Sequence, residues 1–336
     1  MKNKLISLLV LSILITGCLA GCTNNTKPAD KNTDFQSVYP EFVTDSNETS
    51  VTYVNVDGES ITVTKKPKKV VVLLNSILDL WYLAGGESIA RVKGTVNVPT
   101  EAADLPILGS FATVSAEAVM ALEPDLVLLS STSSAHKKLY KTLSDNNIEC
   151  APMDTGTQAY TAFQKNLYLM TEILGTQDIF NEKIKAITDE CNSIIKKAET
   201  ISEKPNIAVL YVTSKSIRSE TQHSLTGEML DLLGAQNIIK GKDIPVAGST
   251  RVDFSLEVLA ARDPQYLFIC TMGDVDACKE KVAKDIKKNA IWSEMDAVKN
   301  NRVYYLPKEN YVYKPNAQYP EALSYLAKII YPETFK

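Results

Sequence analysis

Histidine is scarce in this chain, with two in 336 residues. A dedicated transport site for free zinc or manganese uses several His and carboxylate ligands, so those cargoes lack a donor set here. Cysteine is scarce as well. There are six, none arranged as CxxC, which leaves zinc ribbons and redox dithiols without support. No basic block and no interleaving of basic with aromatic residues offsets the balance of 36 Lys+Arg against 40 Asp+Glu. That charge pattern argues against a nucleic-acid partner. Also missing are a GxSxG elbow, an HExxH helix, a P-loop and a dinucleotide fingerprint, so the enzyme classes built on them fall away.

What is present first is an address. MKNKLISLLVLSILITGCLAGC sets Lys2 and Lys4 before an apolar run from Leu5 to Ile15, which is too short for a mature spanning helix but suits a secretory signal. Residues 1–21 read as that signal. Leu19-Ala20-Gly21-Cys22 looks like a bacterial lipobox, in which cleavage precedes the cysteine and a diacylglyceryl group is attached to Cys22. An earlier match, Ile15-Thr16-Gly17-Cys18, lies too close to the apolar run. Residues 22–50, rich in Thr, Asn, Asp and Ser, cannot bury enough apolar surface to order themselves and read as a flexible tether. Cys150, Cys191, Cys270 and Cys278 are expected as free thiols, with Cys150 and Cys270 on strand-like segments of the core.

With 45% hydrophobic and 23% charged residues, the remainder has room for two ordinary cores. Asp57-Gly58 between alternating β-rich runs predicts a hairpin. Apolar runs of strand length follow at 69–75, 125–130, 148–153, 207–212, 266–270 and 303–306, mostly separated by helical patterns. Alternating βα order with doubly apolar strands predicts an α/β fold of two lobes, each with a mainly parallel sheet flanked by helices. Residues 177–200 hold no Gly or Pro and carry Ile179, Ile184, Ile187, Cys191, Ile194 and Ile195 at helical spacing. They predict one helix of about six turns. Lobes at 51–176 and 201–336, joined by that helix, leave a cleft between them.

One stretch occurs twice. SAEAVMALEPDLVLLS begins at Ser115 and SLEVLAARDPQYLFIC at Ser255, so that Ser115 matches Ser255, Glu117 matches Glu257 and Pro124 matches Pro264. Each serine can cap a helix, and each glutamate sits in its first turn, facing the positive end of the dipole. These pieces, together with PKKVVVL, LLGAQNII and IWSEMDAVKNNRVYYLP in that order around them, resemble the helical-backbone (cluster A, class III) substrate-binding proteins of ABC importers. The resemblance runs from about Val51 to Tyr331. It implies uptake of ferric siderophores, haem or cobalamin, and a permease dimer with ATPase subunits as partner. It further implies that Glu117 and Glu257 dock into arginine pockets of the two permease subunits. The protein is then a lipid-anchored, extracytoplasmic monomer with no enzymatic activity and no intrinsic cofactor, since the bound complex is cargo.

Ligands of such folds sit beyond the carboxyl ends of strands. Loops there supply Tyr160 in the first lobe and Arg218, His223, Arg251, Tyr311, Tyr313 and Lys314 in the second. Cations with aromatic rings favour an anionic ligand, a ferric siderophore first. Haem is the alternative, with His223 as its axial metal ligand and Arg218 or Arg251 on the propionates. Cobalamin is a further alternative, although few apolar walls can be assigned to it. His136, followed by Lys137 and Lys138, reads as a surface residue. Two other readings stand beside transport: a ligand-binding sensor, and a metallocluster enzyme of similar fold, for which the cysteine spacing is wrong.

Overall fold

Three strand systems account for the β structure, and their order follows from which runs can lose both faces to solvent. The computed structural model describes residues 42–156 and 158–336, and all of these fall in one compact unit. The expectations for the signal segment, for Cys22 and for the tether up to residue 41 lie outside the described residues.

β1 (Val43–Ser46), β2 (Ser50–Val54) and β3 (Ser60–Thr64) form an antiparallel sheet in that order. β1 falls within the stretch assigned to the tether by composition. It is held by backbone pairing, Val43 opposite Tyr53 and Ser46 opposite Val51, while Thr44–Ser46 stay exposed. Composition reports burial and is blind to such pairing. The hairpin turn works through Asn55, whose side-chain oxygen accepts from the amides of Asp57 and Glu59. Gly58 takes the left-handed conformation, φ 81°, that the turn requires.

β4 (Val70–Val72), β5 (Leu126–Ser130) and β6 (Cys150–Met153) are parallel, ordered β4-β5-β6, and every residue in them is buried. α1 (Asn75–Leu83), α2 (Ala116–Met120), α3 (Ser134–Asp145) and α4 (Ala159–Leu174) accompany this sheet. Val71, Val127 and Leu129 pack with Leu139 and Leu143 of α3 on one face. Val70, Leu126 and Leu128 pack with Leu78, Trp81 and Leu167 on the other.

α5 (Gln177–Ile179) runs through a π-helical turn, Phe180–Ile184, into α6 (Lys185–Glu199), giving one continuous helical segment over 177–199. Phe180, Ile184, Thr188, Cys191, Ile195 and Ala198 form its buried stripe. The second half carries β7 (Asn206–Val212), β8 (Ile217–Glu220), α7 (Leu225–Leu232), β9 (Gln236–Asn237), β10 (Arg251–Asp253), α8 (Leu256–Arg262), β11 (Tyr266–Thr271), α9 (Val275–Val282), α10 (Ala290–Glu294), α11 (Asp296–Lys299), β12 (Val303–Leu306), α12 (Lys308–Tyr311) and α13 (Tyr319–Ile330). Its sheet is ordered β10-β8-β7-β11-β12, with β9 beside β7. β7, β9, β11 and β12 are parallel, whereas β8 and β10 run antiparallel at one edge. One buried cluster passes from Trp81 and Leu167 through Cys191 and Ile195 to Leu230, Phe268 and Leu326, so both halves and the connecting helices share apolar ground.

The duplicated motif repeats down to its backbone. Glu123 and Asp263, matched in sequence, both adopt positive φ, 49° and 42°, just before their prolines. One residue beyond each proline, Asp125 accepts from the amides of Lys68 and Lys69, and Gln265 accepts from the amide of Asn206. Each copy therefore anchors the start of a neighbouring strand in the same way. Cys150, Cys191, Cys270 and Cys278 are free and buried. Burial raises all four thiols, Cys150 and Cys191 to about 12. No helix among the described residues is long and apolar enough to cross a membrane.

Candidate functional site

A cleft of about 750 Å³ opens beyond the carboxyl ends of β4, β5 and β6. Asn75 and Ser76 bring the amino end of α1 to it, and Thr132, Ser133 and Ser134 bring that of α3, whose first turn Ser133 caps by accepting from the His136 amide. Two helix amino termini on one wall favour negative charge. The floor is a run of hydroxyls: Ser130 Oγ lies 2.5 Å from Thr155 Oγ1, which lies 2.8 Å from Thr132 Oγ1. Lys93 stands at the exposed rim, and Phe111 gives an apolar wall.

The loop 93–97 is positioned by Arg91, which is buried. Its guanidinium donates to the carbonyls of Ala102 (2.9 Å), Val92 (3.1 Å), Gly94 (3.2 Å) and Ala103 (2.6 Å). A buried cation so used acts as a frame, because breaking the set strands several polar groups together. Within the loop Gly94 has φ 143°, a conformation that other residues rarely adopt, and a Cβ there would stand 2.6 Å from Asn75 Nδ2 and push that side chain aside.

From the second half, Val312, Tyr313 and Lys314 reach the cleft. Burial lowers the Lys314 ammonium below its ordinary 10.5, with Glu228 and Asp154 opposing. Tyr313 donates to the Met272 sulfur, 3.7 Å away. Behind it, the Arg251 guanidinium lies 3.6 Å from the centre of the Tyr211 ring and pairs with buried Glu220 at 3.0 Å. Arg218 is held by the Val252 carbonyl and by Asp253, each at 3.1 Å. Arg218 and Arg251 were expected on cleft loops; they occupy the edge strands β8 and β10 instead, and the 750 Å³ cavity is lined by other residues. His223 does not line it either; its amide is tied to Thr221 Oγ1. Two further expectations need correction. Tyr160 packs on Phe163 and Tyr319 in the core, and Tyr311 is buried with its hydroxyl donating to the Ala322 carbonyl. Both rings are structural because the helices bearing them turn those faces inward. Among the described residues no cluster of three or more His, Cys, Asp or Glu is placed to hold a metal ion.

The halves are tied across the base of the cleft. Asn97 donates to the Lys314 carbonyl at 2.7 Å, and Asn316 donates to the Ser76 carbonyl at 2.9 Å and to Asp79 at 2.8 Å. α4 has no cap from its own chain segment, since Gln158 precedes it in the left-handed conformation. Glu228 of α7 supplies that cap, accepting from the amides of Ala159 and Tyr160. Burial outweighs those two bonds and raises the Glu228 carboxyl from 4.5 to about 7. Sequence reasoning missed Glu228 and the 93–97 loop; Gly94, just after Ile89-Ala90-Arg91-Val92, was the one available signal for the loop.

The matched glutamates are alike in three dimensions. Ser115 and Ser255 cap α2 and α8, and each donates its hydroxyl to the glutamate two residues on, at 2.6 Å for Glu117 and 2.9 Å for Glu257. Both carboxylates are exposed and held below their ordinary 4.5. For Glu117 the serine hydroxyl is the larger cause, and for Glu257 its own backbone amide is.

Two α/β halves joined by one continuous helical segment, with a cleft lined from both, define a two-lobed architecture. The chain belongs to the periplasmic binding protein family, whose model matches residues 70–310. That family comprises transport binding proteins, not enzymes. It is 26% identical over 334 residues to YvrC of Bacillus subtilis (strain 168), named an uncharacterized ABC transporter substrate-binding lipoprotein, covering 98% of this chain and 97% of that one. The Fe(3+)-citrate-binding protein YfmC of the same organism is 25% identical over 316 residues, covering 90% and 89%. Among solved structures, Staphylococcus aureus IsdE complexed with heme superposes with a TM-score of 0.68 at 22% identity, over 78% of this chain and 98% of that one.

Proposed function

We propose that the cleft captures an anionic iron complex, a ferric siderophore or a related carboxylate complex, and delivers it to the permease of an ABC importer. The observation that carries this reading is the cleft itself: two helix amino termini, a hydroxyl floor, Lys93 at the exposed rim and the more deeply set Lys314 in its lining. Such a surface suits charged oxygens arranged around a metal that the ligand, not the protein, coordinates. The Fe(3+)-citrate-binding relative supports the same chemistry. Tyr313 and Lys314 are the ligand contacts of the second half, with Arg251 supporting them through Tyr211. Haem is the second reading, favoured by the structural likeness to IsdE complexed with heme.

Cys22 carries the lipid that holds the protein, as a monomer, at the outer face of the cytoplasmic membrane. Glu117 and Glu257 dock the loaded form on the two permease subunits, and the ATPase partner consumes the ATP. The helical segment 177–199 and the bonds across the cleft base support closure by only a few degrees. The test is a titration of purified protein with ferric citrate, a ferric catecholate, a ferric hydroxamate, haemin and cyanocobalamin, followed by calorimetry and absorbance. Saturable binding of one or more ferric oxygen-donor complexes is expected. A shifted haem band with no binding of the others replaces the reading by haem uptake, and silence from all five refutes both.

A further inference from the structure

The first-lobe wall of the cleft rests on a residue that the sequence placed at the surface. His136 is 1% exposed. It sits in the first turn of α3, directly after β5 has ended at Ser130, so its ring folds back over the strand end. Nδ1 accepts from the Ser130 amide at 3.0 Å. A nitrogen that accepts carries no proton, which puts the ring proton on Nε2. Nε2 lies 2.7 Å from the Phe111 carbonyl, an acceptor, and so donates to it. The ring also lies against the Phe111 side chain, centroids 4.4 Å apart. Ser130 and Phe111 both line the cleft.

We propose that His136 is the positioning residue that holds Phe111 and the end of β5 in their ligand-ready places, and that it does so only as the neutral Nε2–H tautomer. The proposal rests on the cleft being the ligand site. A protonated ring turns Nδ1 into a donor facing the Ser130 amide, so that contact opposes donor to donor while the bond to Phe111 survives. The ring then separates from β5 and carries the Phe111 wall with it. Ionisable groups on the surrounding elements are engaged elsewhere: Lys137 of α3 with Asp57 of the hairpin, Glu117 of α2 with Ser115, and Glu149 before β6 with Thr64. Burial lowers the imidazole below its ordinary 6.5, opposed by the Phe111 carbonyl. The wall is therefore intact at neutral pH and is lost on acidification through a value under 6.5.

Two measurements test this. In the ligand-free full-length protein in detergent, nitrogen NMR at pH 7.5 is expected to show His136 with Nδ1 bare and Nε2 protonated. On acidification the Ser130 amide and the Phe111 ring resonances should move together with the His136 titration. A proton on Nδ1 at pH 7.5, or Ser130 and Phe111 signals that ignore the titration, overturns the proposal without reference to any ligand. The second measurement uses ferric citrate or whichever probe saturates. His136→Gln keeps a donor but loses the Nδ1 acceptor, and should weaken binding about tenfold. In a Phe111→Ala background the same change should cost clearly less than it does alone, because only the hold on the β5 end is then left to lose. Additive losses would mean that His136 does not act through Phe111 and would sink the idea. Failure of every probe to bind removes the ligand assignment instead, and the NMR result still decides what His136 holds.

Discussion

Replacing Glu228 by glutamine separates charge from hydrogen bonding at the junction between the two halves. In the folded protein burial raises this carboxyl from 4.5 to about 7, so between those values the native state keeps a proton that the unfolded chain releases. Stability from this group is therefore greatest below 4.5 and is lost as pH rises through 7. At 1.36 kcal/mol per pKa unit the loss sums to about 3 kcal/mol. Glutamine keeps one acceptor for the α4 amides and has no such dependence. The stability lead of wild type over Glu228→Gln should thus shrink by roughly 2–3 kcal/mol between pH 5 and pH 8. At about 2 °C per kcal/mol for a chain of this size, that is some 4–6 °C in Tm. Thermal melts of both proteins at pH 5, 6, 7 and 8 measure it, and taking the difference cancels the titrating groups that do not interact with Glu228. A lead that grows with pH refutes the reasoning, because it would show that the amino end of α4 and Lys314 overcome burial and keep the carboxylate ionised.

Three further outcomes are expected. Arg91→Ala strands the carbonyls of Ala102, Ala103, Val92 and Gly94 and should destabilise the fold by about 3 kcal/mol in urea denaturation; a change under about 0.5 kcal/mol would contradict the framing role. Lys314→Met should weaken the ferric complex identified by titration about 10-fold or more by calorimetry, and unchanged affinity would move the anion contact elsewhere. Glu117→Arg with Glu257→Arg should leave ligand binding intact while abolishing uptake by whole cells, and uptake at the wild-type rate would remove both from the docking role.

The six expected strand runs became β4, β5, β6, β7, β11 and β12 because a strand buried on both faces leaves an unbroken apolar signature. β8 and β10 left none. Ile217–Glu220 and Arg251–Asp253 are short, polar and edge-bound, so they looked like loops, and Arg218 and Arg251 were read as loop residues when they stand on strands. Tyr160 and Tyr311 misled in another way, since an amphipathic ring does not reveal which neighbour its hydroxyl finds. His136 stood next to two lysines on a helix, and only the chain path after β5 shows that its own face turns inward. Glu228 was beyond reach for a different reason: its partners are amides of a helix some seventy residues earlier, brought near by tertiary packing alone. The 177–199 segment was legible because its apolar period persists across the π turn.

The four buried thiols have a consequence for anyone who wants to watch this protein work. A thiol at about 12 is ionised in only about one molecule in 10⁵ at pH 7, and the thiolate is the form that reacts. Cys270 and Cys278 are raised as well and are sealed in the same interior. To maleimides, spin labels and foreign disulfides, the folded body is effectively silent. A single cysteine placed on the rim near Lys93 would then take a fluorophore selectively, with the native four left untouched, and report each capture and release in real time.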